Sequence, residues 1–148
     1  MKKKIIGIVA VLALLVGSVG LYMFNMPHRN VKDIEPEFHF NSSELAYIFI
    51  NDRVGANAEF LSENGDSKVG VVYGNIVETG VDKKGATYAV IRNEGEPVGV
   101  QCAFTEKLSL EEGTQISVKG VIRSGAEFDE DFEEYIDVIM EQCTLETN

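Results

Sequence analysis

The chain has 148 residues, 45% hydrophobic and 25% charged, which suits one globular domain with an appendage. Its formal net charge is −11, and with Lys2, Lys3 and Lys4 set aside residues 25–148 carry 10 basic against 24 acidic side chains, a balance of −14. A domain this acidic is repelled by polyphosphates and anionic lipid surfaces, which argues against a nucleic-acid partner.

Residues 5–24 form a run of 20 without a charged side chain. As a helix, such a run covers the roughly 30 Å of a bilayer's hydrocarbon core. The lysines ahead of it place that flank in the cytoplasm, so the expectation is a single-pass signal anchor over residues 5–24 with an extracytoplasmic C-terminal domain. A cleavable signal peptide shares the basic start and apolar core, and Val16, Ser18 and Gly20 offer small residues to a peptidase. The run continues through Leu21, Met23 and Phe24, with Tyr22 at an interfacial position, which favours an uncleaved anchor. The first cysteine is Cys102, so no lipid-bearing cysteine ends the apolar run.

Residues 25–40, with Pro27, Pro36 and no clear period, read as an extended spacer, leaving residues 41–148 as the domain. A helix follows: Asn41 is a capping residue with Glu44 three positions on, and Leu45, Phe49, Ala56 and Phe60 make one buried stripe. Gly55 weakens it by about 1 kcal/mol relative to alanine, predicting a bend or break over residues 54–56. Asn64-Gly65 marks its stop.

From Ser67 the period becomes two. Strands are predicted over residues 68–79, 86–92 and 98–104, joined by turns at Asp82-Lys83-Lys84-Gly85 and residues 93–97. After a short connector, Ile116, Val118 and Ile122 mark a fourth strand, and residues 135–143 a fifth. Between these lies an acidic loop, residues 125–134, around Phe128 and Phe132. Gly74 and Gly120 interrupt the first and fourth strands as bulge candidates. Five short strands with the long connection between the third and fourth suit a five-stranded OB-type Greek-key barrel, mainly β with an N-terminal helix, preceded by one transmembrane helix.

Several short patterns occur in order: Ala56-Asn57-x-x-Phe60, Val71-x-x-Gly74-x-Ile76, Val100-x-Cys102-x-Phe104, Gly113 through Val118-x-Gly120, and Cys143. In that order and spacing, residues 43–145 resemble a family of membrane-anchored or exported bacterial proteins with tRNA-anticodon-binding-like OB folds. The resemblance implies a helix packed on a five-stranded barrel, and with the anchor and its lysines the expected place is the bacterial inner membrane with the domain periplasmic. It implies no catalytic residues and no tRNA binding.

Cys102 and Cys143 are the only cysteines. In an OB barrel the third and fifth strands are neighbours, so in an oxidising compartment a disulfide between them is the leading expectation and two buried thiols the alternative. Strict alternation leaves the direction of Cys143 open. His28 and His39, the only imidazoles, support neither a transition-metal site nor a Ser-His-Asp arrangement. Asp129 and Asp131 lack the central glycine and closing glutamate of a calcium loop, so no metal and no cofactor is expected. OB folds bind ligands on their second and third strands and adjoining loops, which here offers Lys83, Lys84, Tyr88, Arg92 and Gln101. One exposed aromatic and a few cations make a thin platform for single strands. The sequence thus predicts a non-enzymatic binding or interaction module for an envelope protein, peptide or small ligand, with oligonucleotide or oligosaccharide binding on that face as the alternative.

Overall fold

Alternating β-branched residues build the molecule's frame, and in the computed structural model they extend as strands through most of residues 69–145. The structure describes residues 30–62 and 67–146, together with Gly17, Ser18 and Gly20. The expected anchor over residues 5–24 lies outside the described residues apart from those three, as does His28. Among the described residues, no helix is long and apolar enough to cross a membrane.

The elements are a 3-10 turn at Val31–Asp33, then β1 (Phe38–Asn41), α1 (Ser42–Asn51), α2 (Arg53–Phe60), β2 (Val69–Val81), β3 (Thr87–Arg92), β4 (Val100–Phe104), β5 (Gln115–Ser124), β6 (Glu127–Asp129), β7 (Glu134–Ile136) and β8 (Val138–Leu145). Five strands run in the order β2-β3-β4-β8-β5, and β2 pairs with β5 to close the barrel. The β4–β8 pair is parallel and the others are antiparallel. With two helices, this closed five-stranded barrel is OB-like.

Closure depends on β2, whose first half pairs with β5 from Val69↔Val121 to Asn75↔Gln115 and whose second half pairs with β3. The ladder shifts between Ile76 and Glu78, where the strand changes partner. That bulge, not Gly74, bends the strand: Gly74 stands in regular register opposite Ile116. Gly120 does fall in an irregular stretch, between Lys119 and Val121 on the β8 side, and a Cβ there would come within 2.8 Å of the Cys143 sulfur.

The single predicted helix is two. Asp52, not Gly55, is the break: its N–H donates to the Ile48 carbonyl at 3.1 Å, ending α1, while its carboxylate accepts from the Gly55 N–H at 3.0 Å, starting α2. Asn41 caps α1 by accepting from the Ser43 N–H at 3.0 Å. The second helix ends at Phe60, since Leu61 is already extended, and the predicted Asn64-Gly65 stop lies outside the described residues. Leu45, Phe49, Ala56 and Phe60 are all buried as the stripe requires. Each large side chain among them contributes about 1.5–3 kcal/mol by leaving water.

Residues 31–40, predicted to be spacer, belong to the folded unit Val31–Asn148. Val31 and Phe38 are buried, and β1 lies parallel to the start of β2. Phe38 meets Phe60 edge-on at 5.3 Å between ring centres. A strand of four residues is too short to show a period, and its pairing partner lies about thirty positions on, beyond the reach of pattern reading. The fifth predicted strand also starts later, at Val138, because Tyr135 and Ile136 belong to the separate β6–β7 hairpin.

Candidate functional site

The OB binding surface falls on β3 and β4, where alternation turns Ala89, Ile91, Val100, Cys102 and Phe104 into the core. Tyr88 and Arg92 of β3 then lie on the opposite face beside Gln101 and Ala103 of β4, with Tyr88 opposite Ala103 and a buried Val90 opposite Gln101. Three of the expected binding residues, Tyr88, Arg92 and Gln101, thus share one face. Tyr88 and Arg92 are four residues apart on the strand, about 13 Å at the usual rise. Lys83 and Lys84 are exposed in the turn that leads into β3.

The phenol and the guanidinium of this face are engaged with the protein itself. The Tyr88 hydroxyl donates to Glu78 at 2.9 Å, and that hydrogen bond, reinforced by the negative charge, raises the phenol above its usual range. The Arg92 guanidinium forks onto Asp137, Nε to Oδ1 at 3.3 Å and Nη2 to Oδ2 at 2.7 Å. Asp137, only 11% exposed in its side chain, also accepts from the Gly99 N–H at 2.8 Å. Arg92 therefore ties the end of β3 to the start of β8 and to the β3–β4 loop, a structural duty. In the turn, the Asp82 carboxylate accepts from the backbone N–H of Ala86 at 2.9 Å and of Lys84 at 2.8 Å. Those bonds, more than the nearby Lys84 charge, hold its carboxyl below the usual carboxylate range. Gln101 is exposed.

Glu78 and Asp137, the carboxylates that neutralise this face, were not legible in the sequence. One is placed by the β2 bulge and the other by the junction of the β6–β7 hairpin with β8. Tyr47 repeats the arrangement elsewhere: its hydroxyl donates to Glu96 at 2.8 Å, which raises the phenol.

The cysteines meet, but as free thiols. Cys102 and Cys143 are both buried and hydrogen-bonded to each other, and that bond together with burial pushes the Cys102 thiol well up. The expected disulfide is therefore not what the structure contains. Cys143 reaches the core because β8 carries one extra residue between Met140 and Cys143 relative to β4, with Gln142 at φ 53°. Without it, strict alternation from Val138 and Met140 would turn Cys143 outward.

Two open hollows lie away from this face. One of about 380 Å³ is lined by Lys32, Glu106, Leu108, Lys119, Cys143 and Leu145 among others. On its wall the buried Lys119 donates to the Lys32 carbonyl at 3.1 Å and stands 3.9 Å from Glu146, tying the 3-10 turn to the barrel. The other, of about 450 Å³, lies beside α2 against Arg123. Among the described residues no group of three or more His, Cys, Asp or Glu side chains is placed to hold a metal ion. His39 is exposed on β1, and Asp129 and Asp131 sit together in the acidic loop, where Asp129 accepts from the Asp131 N–H at 2.9 Å.

No protein-family model matches this chain, and no curated protein matches it.

Proposed function

We propose that this protein is a binding and interaction module, an OB-type domain that works by presenting its surface and carries out no catalysis. The observation that carries the reading is the self-neutralised β3–β4 face: Tyr88 is held by Glu78 and Arg92 by Asp137. A face whose cation and aromatic are both occupied by carboxylates offers little to phosphates or to stacked bases, which weighs against oligonucleotide binding there. The same pairing gives an oligosaccharide few free donors.

The reading includes a place: residues 5–24 hold the domain at a bacterial inner membrane, on the periplasmic side, as the apolar run and the lysines ahead of it support. It also keeps the resemblance to tRNA-anticodon-binding-like OB folds, of which the closed five-stranded barrel and the two helices support the OB-like fold. The cysteines follow from that compartment. An exported thiol oxidase would take two electrons and two protons from Cys102 and Cys143 and join their sulfurs, which already lie within hydrogen-bond reach.

A photo-crosslinking residue placed at Gln101, and separately at other exposed positions of the full-length chain in living cells, tests the reading. Discrete protein adducts, with the C-terminal part degraded by protease added to intact spheroplasts, are the expected result. Nucleic-acid adducts, or a protease-protected domain, would overturn it.

A further inference from the structure

One loop of this protein breaks several folding rules at once. Between β5 and β8 the chain rises into the β6–β7 hairpin, a two-stranded sheet separate from the barrel. Its register sets Asp129 directly opposite Glu134, and like charges in that position repel across a sheet. Glu133 adopts φ 54°, a left-handed conformation that a glycine or asparagine would take more readily. Phe132, at the tip, is 75% exposed, with Phe128 at 47% and Ile136 at 38%.

Charge accumulates there too. From Ser124 to Asn148 the chain has nine Asp and Glu residues and no Lys or Arg. The hairpin draws one cation from elsewhere, Arg53 of α2, which stands 2.5 Å from Glu127. Among the described residues, Asp129, Glu130, Asp131, Glu133 and Glu134 have no basic side chain in ion-pair range. Tyr135 and Phe128 meet at 4.9 Å between ring centres with their planes tilted by 60°, and Tyr135 packs on the core, so the hairpin has a fixed base. Its base is anchored, yet its tip serves no part of the barrel. Repulsion, a left-handed glutamate and an exposed phenylalanine all weaken the fold locally, and their convergence on one short loop marks a surface kept for something else.

We propose that the β6–β7 hairpin is the docking surface for a basic, leucine- or valine-bearing segment of a partner protein. The proposal rests on the interaction-module reading and supplies its partner class. Charge complementarity selects the occupant: a cationic segment relieves the Asp129–Glu134 repulsion, its guanidinium groups stack on the exposed phenylalanine faces, and its apolar side chains cover Phe132 and Ile136. A second copy would bring the same negative charge to the contact, and a nucleic acid or an anionic lipid surface would be repelled.

The test uses the full-length chain in zwitterionic nanodiscs and a fluorescein-labelled peptide of arginine and leucine, read by anisotropy. Binding should weaken steeply with salt and be absent for the matching glutamate–leucine peptide. Phe132→Ala should weaken binding about tenfold, the loss typical of an aromatic anchor. The double variant Glu130→Gln with Asp131→Asn should weaken it and flatten the salt dependence. Both variants alter exposed positions, and unchanged circular dichroism checks that they fold. No binding, or equal binding of an arginine peptide without leucine that Phe132→Ala leaves untouched, overturns the proposal. Binding that survives Phe132→Ala but is lost in Gln101→Arg moves the partner to the β3–β4 face: the hairpin assignment then falls and the interaction-module reading stands. Self-association abolished by Phe132→Ala would name a second copy as the occupant and likewise overturn it.

Discussion

The β3–β4 face and the β6–β7 hairpin are both solvent-facing, and they treat charge in opposite ways. On the face, Arg92 has Asp137 and Tyr88 has Glu78, and Asp137 even satisfies the Gly99 N–H. Among the described residues the six acidic side chains of the hairpin share one ion pair, Arg53 to Glu127, while Asp129 accepts from the Asp131 and Phe132 N–H groups. A surface whose phenol and guanidinium are held by its own carboxylates helps to hold the barrel together. One whose charges are left open is available to something outside it, and the difference is visible only when each carboxylate is traced to its partner.

Substitutions of one residue type in the two settings sharpen the contrast most. Phe49 is fully buried and Phe132 is 75% exposed. Phe49→Ala should cost about 3–5 kcal/mol in denaturant unfolding, and Phe132→Ala should stay within about 0.5 kcal/mol. A comparable loss from both would mean that the hairpin is part of the core.

Next in size is the clamp. Asp137→Ala strands the Arg92 charge and leaves the Gly99 N–H without its acceptor, with an expected loss of about 2–3 kcal/mol by the same measurement. Full burial would cost more, but the Arg92 side chain is 30% exposed. Arg53→Ala, which removes the cation paired with Glu127, should cost under about 1 kcal/mol, since that pair is 64% and 38% exposed. If Arg53→Ala proved the more damaging of the two, the hairpin and not the face would be the structural element.

The smallest effect is spectroscopic. Tyr88 and Tyr47 are raised by hydrogen bonds to Glu78 and Glu96, so both should ionise later than an ordinary tyrosine in an alkaline ultraviolet titration. The sign follows from linkage: a folded-state value above the unfolded one adds stability that is fully present below the unfolded value and is lost as pH rises through the folded value. Tyr88→Phe and Tyr47→Phe should each remove one late-ionising component. A Tyr88 component in the ordinary range would mean that the face is open, and the contrast with the hairpin would fail.

Much of this was legible in the sequence, with definite gaps. Val98 through Phe104 and Ala86 through Arg92 alternate cleanly, and β3 and β4 lie within a residue or two of those bounds. The stripe Leu45, Phe49, Ala56 and Phe60 gave the buried helix face, but the break fell at Asp52 because one side chain caps two helices in opposite directions. β1 escaped notice because Phe38–Asn41 becomes a strand only beside β2. Of the five expected binding residues, Tyr88, Arg92 and Gln101 share a face, while nothing local signalled that Arg92 is already occupied.

The sequence alone determined the quantities that depend on neighbours: the acidic balance of residues 25–148, the order of helix and strands, and which side of most strands turns inward. Only the tertiary structure decided which charges cancel, since Arg92 and Asp137 are 45 positions apart and meet because β4 pairs with both β3 and β8. It also decided the direction of Cys143, through one extra residue in β8 that reverses alternation between Met140 and the cysteine. Side-chain periodicity is a local property of the backbone and can be read along the chain. Pairing and bulges are set by which distant strand lies alongside, and no window of sequence contains that strand.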